Sequence, residues 1–214
     1  VRIVDARLTA SALVVAAGAL VAFAAHFLRR DAGNAPPPDV TIRAEFLDED
    51  DLKAWRMGGG EWTVRRGEAY GRQVGAAYAY LTWPAYFGSV SSVTIHGRIA
   101  SREDRNFRVA VGHVSAIFNW ELDDGDIYHD GPGDGVLVRP HGLPPGEHEI
   151  TFVQDGEIAR VLVDGRATYE SRTRLRGTVT IYPAVGSEIA VRDVEIRGVP
   201  LPWIQVEGPS IKAP

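Results

Sequence analysis

The aspartates Asp123, Asp124, Asp126, Asp130 and Asp134 crowd one glycine-rich stretch, interleaved with Gly125, Gly131, Gly133 and Gly135. Carboxylate oxygens on a flexible loop are what a hard cation such as calcium binds, and Asp-Gly clusters are equally the ordinary material of turns. The spacing departs from an EF-hand loop, because Tyr128 stands where a third oxygen ligand belongs. The expectation is no cofactor, with calcium as the candidate ligand of this loop and a plain turn as its other reading. A second group is aromatic: Tyr78, Tyr80, Trp83 and Tyr86, whose rings could stack on sugars or anchor a protein contact if they reach the surface. His26 could ligate a haem or chlorophyll-type pigment, or simply rest among lipid headgroups. Glu147 and Glu149 flank His148 in alternation, which puts both carboxylates on one side of a strand.

Composition removes other chemistry. The chain has no cysteine, so disulfides, thiolate nucleophiles and cysteine-ligated metals are excluded. Its formal net charge of −5 offers no basic face for a phosphate backbone, and nucleic acid is not an expected partner. With 45% hydrophobic and 24% charged residues, the chain has the balance of a folded domain.

Residues 8–28 carry no formal charge and are bounded by Arg7 and by Arg29-Arg30. At about 1.5 Å per residue such a helix spans roughly 30 Å, the thickness of a bilayer's hydrocarbon core. We expect a single transmembrane helix at 8–28, with a tail at 1–7 and a Pro-rich linker at 29–38. The alternative is a signal peptide cut near Ala22-Phe23-Ala24. Arginines are balanced across the span, but a short tail and a large acidic domain favour the N-terminus inside. The C-terminal domain then lies on the periplasmic or extracytoplasmic side of a bacterial inner membrane. Ser11, Gly18, Ala22 and Ala25 share one face of this helix, and small residues allow other transmembrane protein subunits to approach closely. An alanine-rich anchor with no partner would look the same.

Beyond the linker, strand-like alternation recurs about every ten residues, the pattern of an all-β sandwich or barrel. In Val93-Thr94-Ile95-His96-Gly97-Arg98-Ile99 and in Phe107-Arg108-Val109-Ala110-Val111 apolar residues alternate with others, so one face is buried and one is wet. Asp155-Gly156 and Asp164-Gly165 follow strand patterns and predict type I′ hairpin turns. From Ile189 to Ile196 the alternation slips at Arg192-Asp193, which predicts a bulge. The sandwich should occupy 39–199, followed by a Pro-rich tail at 200–214.

Several of these stretches resemble a family. Glu61-Trp62-Thr63-Val64 with Gly67-Glu68-Ala69-Tyr70-Gly71, Gly146-Glu147-His148-Glu149-Ile150-Thr151-Phe152 with the hairpin to Val163-Asp164-Gly165, and Val191-Arg192-Asp193-Val194-Glu195-Ile196 are similar to the concanavalin A-like jelly roll. Its laminin-G-like and DUF1080-type branches are the nearest in kind. The resemblance implies a concanavalin A-like β-sandwich behind one N-terminal transmembrane α-helix. It also implies a range of roles: lectins, carbohydrate-binding modules, glycosidases, domains that only make protein contacts, and in some DUF1080-type relatives hydrolysis of 3-keto-glycosides. A retaining glycosidase needs two carboxylates about 5 Å apart. Glu147 and Glu149 have the alternation, but they open a strand at the rim and His148 separates them. In the central strand where DUF1080-type relatives carry an acidic pair, this chain has Ile117-Phe118-Asn119-Trp120-Glu121, leaving Glu121 as one partner. We therefore expect no catalytic centre. The expected function is a non-catalytic, membrane-anchored accessory subunit of a larger bacterial membrane complex of respiratory or photosynthetic type. The alternative is a surface carbohydrate-binding module, with glycan as partner, or a 3-keto-glycoside hydrolase-like domain.

Overall fold

The computed structural model describes residues 39–75, 78–101, 106–119, 127–130, 136–138, 142–183 and 187–201. Residues 8–28 with Ser11, Gly18, Ala22, Ala25 and His26, the linker, Glu121, Asp123, Asp124, Asp126, Asp134 and most of the C-terminal tail lie outside them. Among the described residues no helix is long and apolar enough to cross a membrane.

Two antiparallel sheets face each other. The first contains β1 (Val40–Glu45), β3 (Gly60–Arg65), β4 (Glu68–Gln73), β6 (Phe87–Ile99), β11 (His148–Asp155), β12 (Ile158–Val163), β13 (Arg166–Ser171) and β15 (Glu188–Pro200). Their order is β13-β12-β11-β6-β15-β4-β3, with β1 also paired to β15. The second contains β2 (Arg56–Gly58), β5 (Tyr80–Thr82), β7 (Phe107–Val111), β8 (Val114–Phe118), β9 (Ile127–Asp130), β10 (Val136–Val138) and β14 (Val179–Pro183). Their order is β10-β9-β8-β7-β14-β5-β2. The fold is an all-β sandwich.

The alternation read from the sequence decides which side of each strand is buried. Val93 and Ile95 of β6, Ile150 and Phe152 of β11, and Val194 and Ile196 of β15 point inward from the first sheet. Phe107, Val109 and Val111 of β7, Val114, Ala116 and Phe118 of β8, and Val179 and Ile181 of β14 meet them from the second. At about 1.5–3 kcal/mol for each large apolar side chain removed from water, this common layer is the main stabilising term of the sandwich. It also fixes register, because a one-residue slip would carry a strand's whole apolar set to the wet side.

The expected bulge is present: β15 shifts register on β6 between Val191 and Asp193. The turn expectations divide. Asp164 and Gly165 both have positive φ, 50° and 75°, as a type I′ turn requires. At the other hairpin Asp155 is still in β11, paired with Ile158, so the turn is Gly156-Glu157 with only glycine at positive φ. That corrects the type I′ expectation, and the cause is strand pairing continuing one residue further than the Asp-Gly signal suggests. β7 and β8 are joined by Gly112-His113, with Gly112 at φ 59° in the first central position of a tight hairpin. A β-carbon there would collide with the Arg176 carbonyl oxygen.

The first and last strands are neighbours. Val40 pairs with Gly198 and Glu45 with Asp193, so the chain enters the sandwich beside the point where it leaves.

Candidate functional site

The outer side of the second sheet carries the arrangement best suited to holding a ligand. Because the inward positions of β7, β8 and β14 are apolar, the intervening residues face away from the core. Register brings them into rows. One row runs Asp130 of β9, Ser115 of β8, Ala110 of β7, Thr180 of β14, Thr82 of β5 and Arg56 of β2. The next runs Tyr128, Ile117, Arg108 and Tyr182 across β9, β8, β7 and β14. Tyr80, the neighbour of Leu81 on β5, shares the outer side with Thr82.

The middle of the first row is a floor. Ser115 is 2% exposed and Ala110 and Thr180 are 5% exposed, although none of them points into the core. Their side chains are short, while Tyr128, Ile117, Arg108 and Tyr182 beside them are larger and half-buried. Thr82 Oγ1 donates to Thr180 Oγ1 at 3.0 Å, closing one side of the floor. Arg108 Nη2 donates to Ser115 Oγ at 3.3 Å, and the Arg108 guanidinium carbon lies 5.3 Å from the centroid of the Tyr182 ring. Arg108 Nε is buried without a hydrogen-bond partner. Tyrosine rings for the apolar side of a sugar, together with hydroxyl and guanidinium groups for its oxygens, make a polar and aromatic platform.

The outer side of the first sheet is different, because its charges are already matched to one another. Glu68 accepts from Arg98 Nη2 at 2.7 Å and from Tyr70 Oη at 2.7 Å. Burial alone would raise the Glu68 pKa, but the hydrogen bonds from Arg98 and Tyr70 outweigh it and hold the carboxyl below its usual value. Glu147 is ion-paired with Arg192. Glu149 Oε2 lies 3.4 Å from His96 Nε2, and the other ring nitrogen of His96 is 2.7 Å from Asp193 Oδ1. The candidate pair Glu147 and Glu149 thus sits on the opposite side of the sandwich from the platform, each member held by its own basic neighbour.

Other expected residues are scattered. Of the Asp-rich stretch, Asp130 alone falls among the described residues, at the register position opposite Ser115. Among those residues no group of three or more His, Asp and Glu is placed to hold a metal ion. Of the four aromatics, Tyr78 is 74% exposed and Tyr86 is also exposed. Tyr80 belongs to the platform's side of the sheet. Trp83 corrects the idea of a single surface cluster, since it packs against the core with its ring edge-on to Trp55 at 5.1 Å. Asn119, in the stretch resembling an acidic catalytic strand, ties two backbone segments together. Its Nδ2 donates to the Leu143 carbonyl at 3.2 Å and its Oδ1 accepts from the Leu143 N–H.

No local pattern in the sequence singles out Arg108, Ser115, Tyr128, Thr180 and Tyr182 as site residues. Arg108 is legible as an outward position of its strand, but its partner Tyr182 joins it only through the pairing of β7 with β14. His129 carries no such signal either. It is fully buried, stacks on Tyr169 of the first sheet with ring centroids 4.8 Å apart, and neither of its nitrogens has a partner. Burial pushes its pKa down to about 4, so the ring is neutral at neutral pH and belongs to the core.

No family model matches this chain, and no curated protein does. Solved structures do. The apo form of Crh5 transglycosylase superposes with a TM-score of 0.58 at 14% identity, covering 78% of this chain and 89% of that one. The Bacillus licheniformis β-glucanase gives 0.52 at 10% identity, over 73% of this chain and 97% of that one. A Bacillus subtilis protein of unknown function with a galectin-like fold gives 0.53 at 11% identity, over 75% and 96%. At these identities the likeness is one of fold. The sandwich shares the fold of these transglycosylase, glucanase and galectin-like structures.

Proposed function

We propose that this chain is a carbohydrate-binding module which holds a glycan on the outer side of the seven-stranded sheet without cleaving it. The observation that carries this reading is the platform itself: Tyr128, Arg108 and Tyr182 stand beside a floor of Ser115, Ala110 and Thr180. A sugar ring laid across the half-buried row would offer its C–H side to the tyrosines and its hydroxyls to Arg108. The jelly roll shared with a transglycosylase and a β-glucanase supports the same reading, because sugars are what those neighbours act on.

Binding without hydrolysis is favoured by the carboxylates. Glycoside cleavage uses two of them, about 5–5.5 Å apart for retention or about 6.5–9.5 Å for inversion. Among the described residues of the platform's rows only Asp130 is acidic. This reading takes precedence over an accessory subunit of a membrane complex, because structures of similar fold are a transglycosylase and a β-glucanase. An anchor at 8–28 is compatible with it and would hold the module at an extracytoplasmic membrane surface.

The test is affinity electrophoresis of the full chain through gels containing soluble polysaccharides, together with an assay for released reducing ends. Retardation by at least one polysaccharide, abolished by Tyr182→Ala and accompanied by no reducing-end release, is the expected result. Release of reducing ends by the wild-type chain would replace the module with a hydrolase, and absence of retardation by any glycan would end the proposal.

A further inference from the structure

The charge on the platform narrows the ligand further. Among the described residues the other half-buried arginines are answered by carboxylates: Arg98 by Glu68 and Arg160 by Glu170. Arg108 is not. Its contacts are a long hydrogen bond to the Ser115 hydroxyl and the face of the Tyr182 ring, and among the described residues no ion pair includes it. Its Nε is buried without a partner. A half-buried guanidinium has given up part of its hydration, and neither a neutral hydroxyl nor a ring face replaces that as an anion would.

We infer that the glycan is acidic, and that a sugar carboxylate of uronic-acid type docks on the guanidinium of Arg108. This rests on the proposed carbohydrate-binding role and specifies its ligand. The planar fork of arginine matches a carboxylate through two parallel N–H···O bonds, a geometry lysine cannot reproduce. Tyr182, already against the guanidinium, fixes the plane of that fork. A sulfate ester would offer the same negative oxygens, so the experiment must separate the two anions.

The full chain would be run through gels containing acidic polysaccharides, namely polygalacturonate, alginate and glucuronoxylan, beside the carboxyl-reduced form of each and a sulfated galactan lacking uronic acid. The expected result is that at least one uronate polymer retards the protein tenfold or more over its reduced counterpart, with salt weakening the effect. Arg108→Gln should abolish that preference. Arg108→Lys, which keeps the charge and removes the fork, should weaken it several-fold with an unchanged melting curve, so the result does not depend on the glutamine variant folding. Equal retardation by reduced and acidic polymers, or retention of the preference in Arg108→Lys, overturns the inference while leaving glycan binding intact. Stronger retardation by the sulfated galactan also overturns it, in favour of sulfate. If neither neutral nor acidic polymers retard the chain, the binding role itself falls.

Discussion

Arg108 and Tyr182 are register partners on β7 and β14, with the guanidinium carbon 5.3 Å from the centre of the ring. The ring acts on Arg108 through its face, not through its hydroxyl. Tyr182→Phe should therefore keep glycan affinity within about twofold, whereas Tyr182→Leu, which removes a contact of roughly 0.5–1 kcal/mol as well as the stacking surface, should lose several-fold or more. Isothermal titration with the retarding polysaccharide distinguishes these outcomes.

The floor of the platform invites a test by filling. Ala110 is buried yet points away from the core, so a larger side chain there displaces the outward side chains that cover it and does not overpack the interior. Ala110→Phe is expected to block ligand binding and leave the melting temperature within a few degrees of wild type. A large fall in melting temperature would mean that the floor is part of the packing.

His129 makes stability depend on pH. Its folded-state pKa is about 4, below the ordinary histidine value of 6.5. Above about pH 6.5 the ring is neutral in both states and contributes no pH dependence. As pH falls, the unfolded chain takes up the proton first, and stability declines until the folded ring also protonates near pH 4. A shift of this size corresponds to a loss on the order of 3 kcal/mol. His129→Phe keeps a ring against Tyr169 and leaves no nitrogen without a partner. The difference in urea unfolding free energy between variant and wild type should grow as pH is lowered from 7 to 4; a constant difference would contradict this account.

At lower pH a different group matters. Burial would raise the Asp164 pKa, but hydrogen bonds from His148 and from the Glu149 N–H outweigh it and hold the carboxyl below its usual value. Its contribution is present above the ordinary aspartate pKa of about 3.9 and is lost as pH falls through the lowered value. Asp164→Asn, whose short side chain tolerates the positive φ of this turn, should lower stability at pH 7 and flatten the decline below pH 4. Thermal melts across that range would show whether the acid limb changes slope.

Gly112 shapes the hairpin that presents Arg108 and Ser115 side by side. A methyl group there combines a positive φ with a collision against the Arg176 carbonyl. It would also strain the 2.8 Å hydrogen bond from Gly112 N–H to the Thr178 carbonyl. Gly112→Ala is expected to destabilise the sandwich by more than about 1 kcal/mol, visible as a lower midpoint in urea, and to weaken ligand binding at concentrations where the protein is still folded.

Much of the fold is legible in the sequence, because side-chain alternation is local. Val93 to Ile99, Phe107 to Val111 and the slip at Arg192-Asp193 each declare their geometry within a few residues. Turn chemistry is less decisive: Asp164-Gly165 forms the expected turn, while at Asp155-Gly156 one more rung of pairing displaces it. The platform is hidden for another reason. Arg108, Ser115, Tyr128 and Tyr182 are separated along the chain and become neighbours only when β9, β8, β7 and β14 align. The clusters that stand out in the sequence are contiguous, such as Tyr78 to Tyr86, and the sheet sends Trp83 toward the core and Tyr80 to the opposite side. Glu147 and Glu149 draw notice for their alternation, yet their side of the sandwich is one where Arg192 and His96 already occupy them.

The pairing of β1 with β15 has a mechanical consequence. Since Val40 and Gly198 are opposite one another, tension applied to the two ends of the sandwich would separate that pair of strands rung by rung, from one end, and not slide them past each other under a shared load. A module built this way gives way at its seam under modest force. A tether attached to either end would therefore peel β1 from β15 before it disturbed Arg108 and Tyr182, which lie in the other sheet.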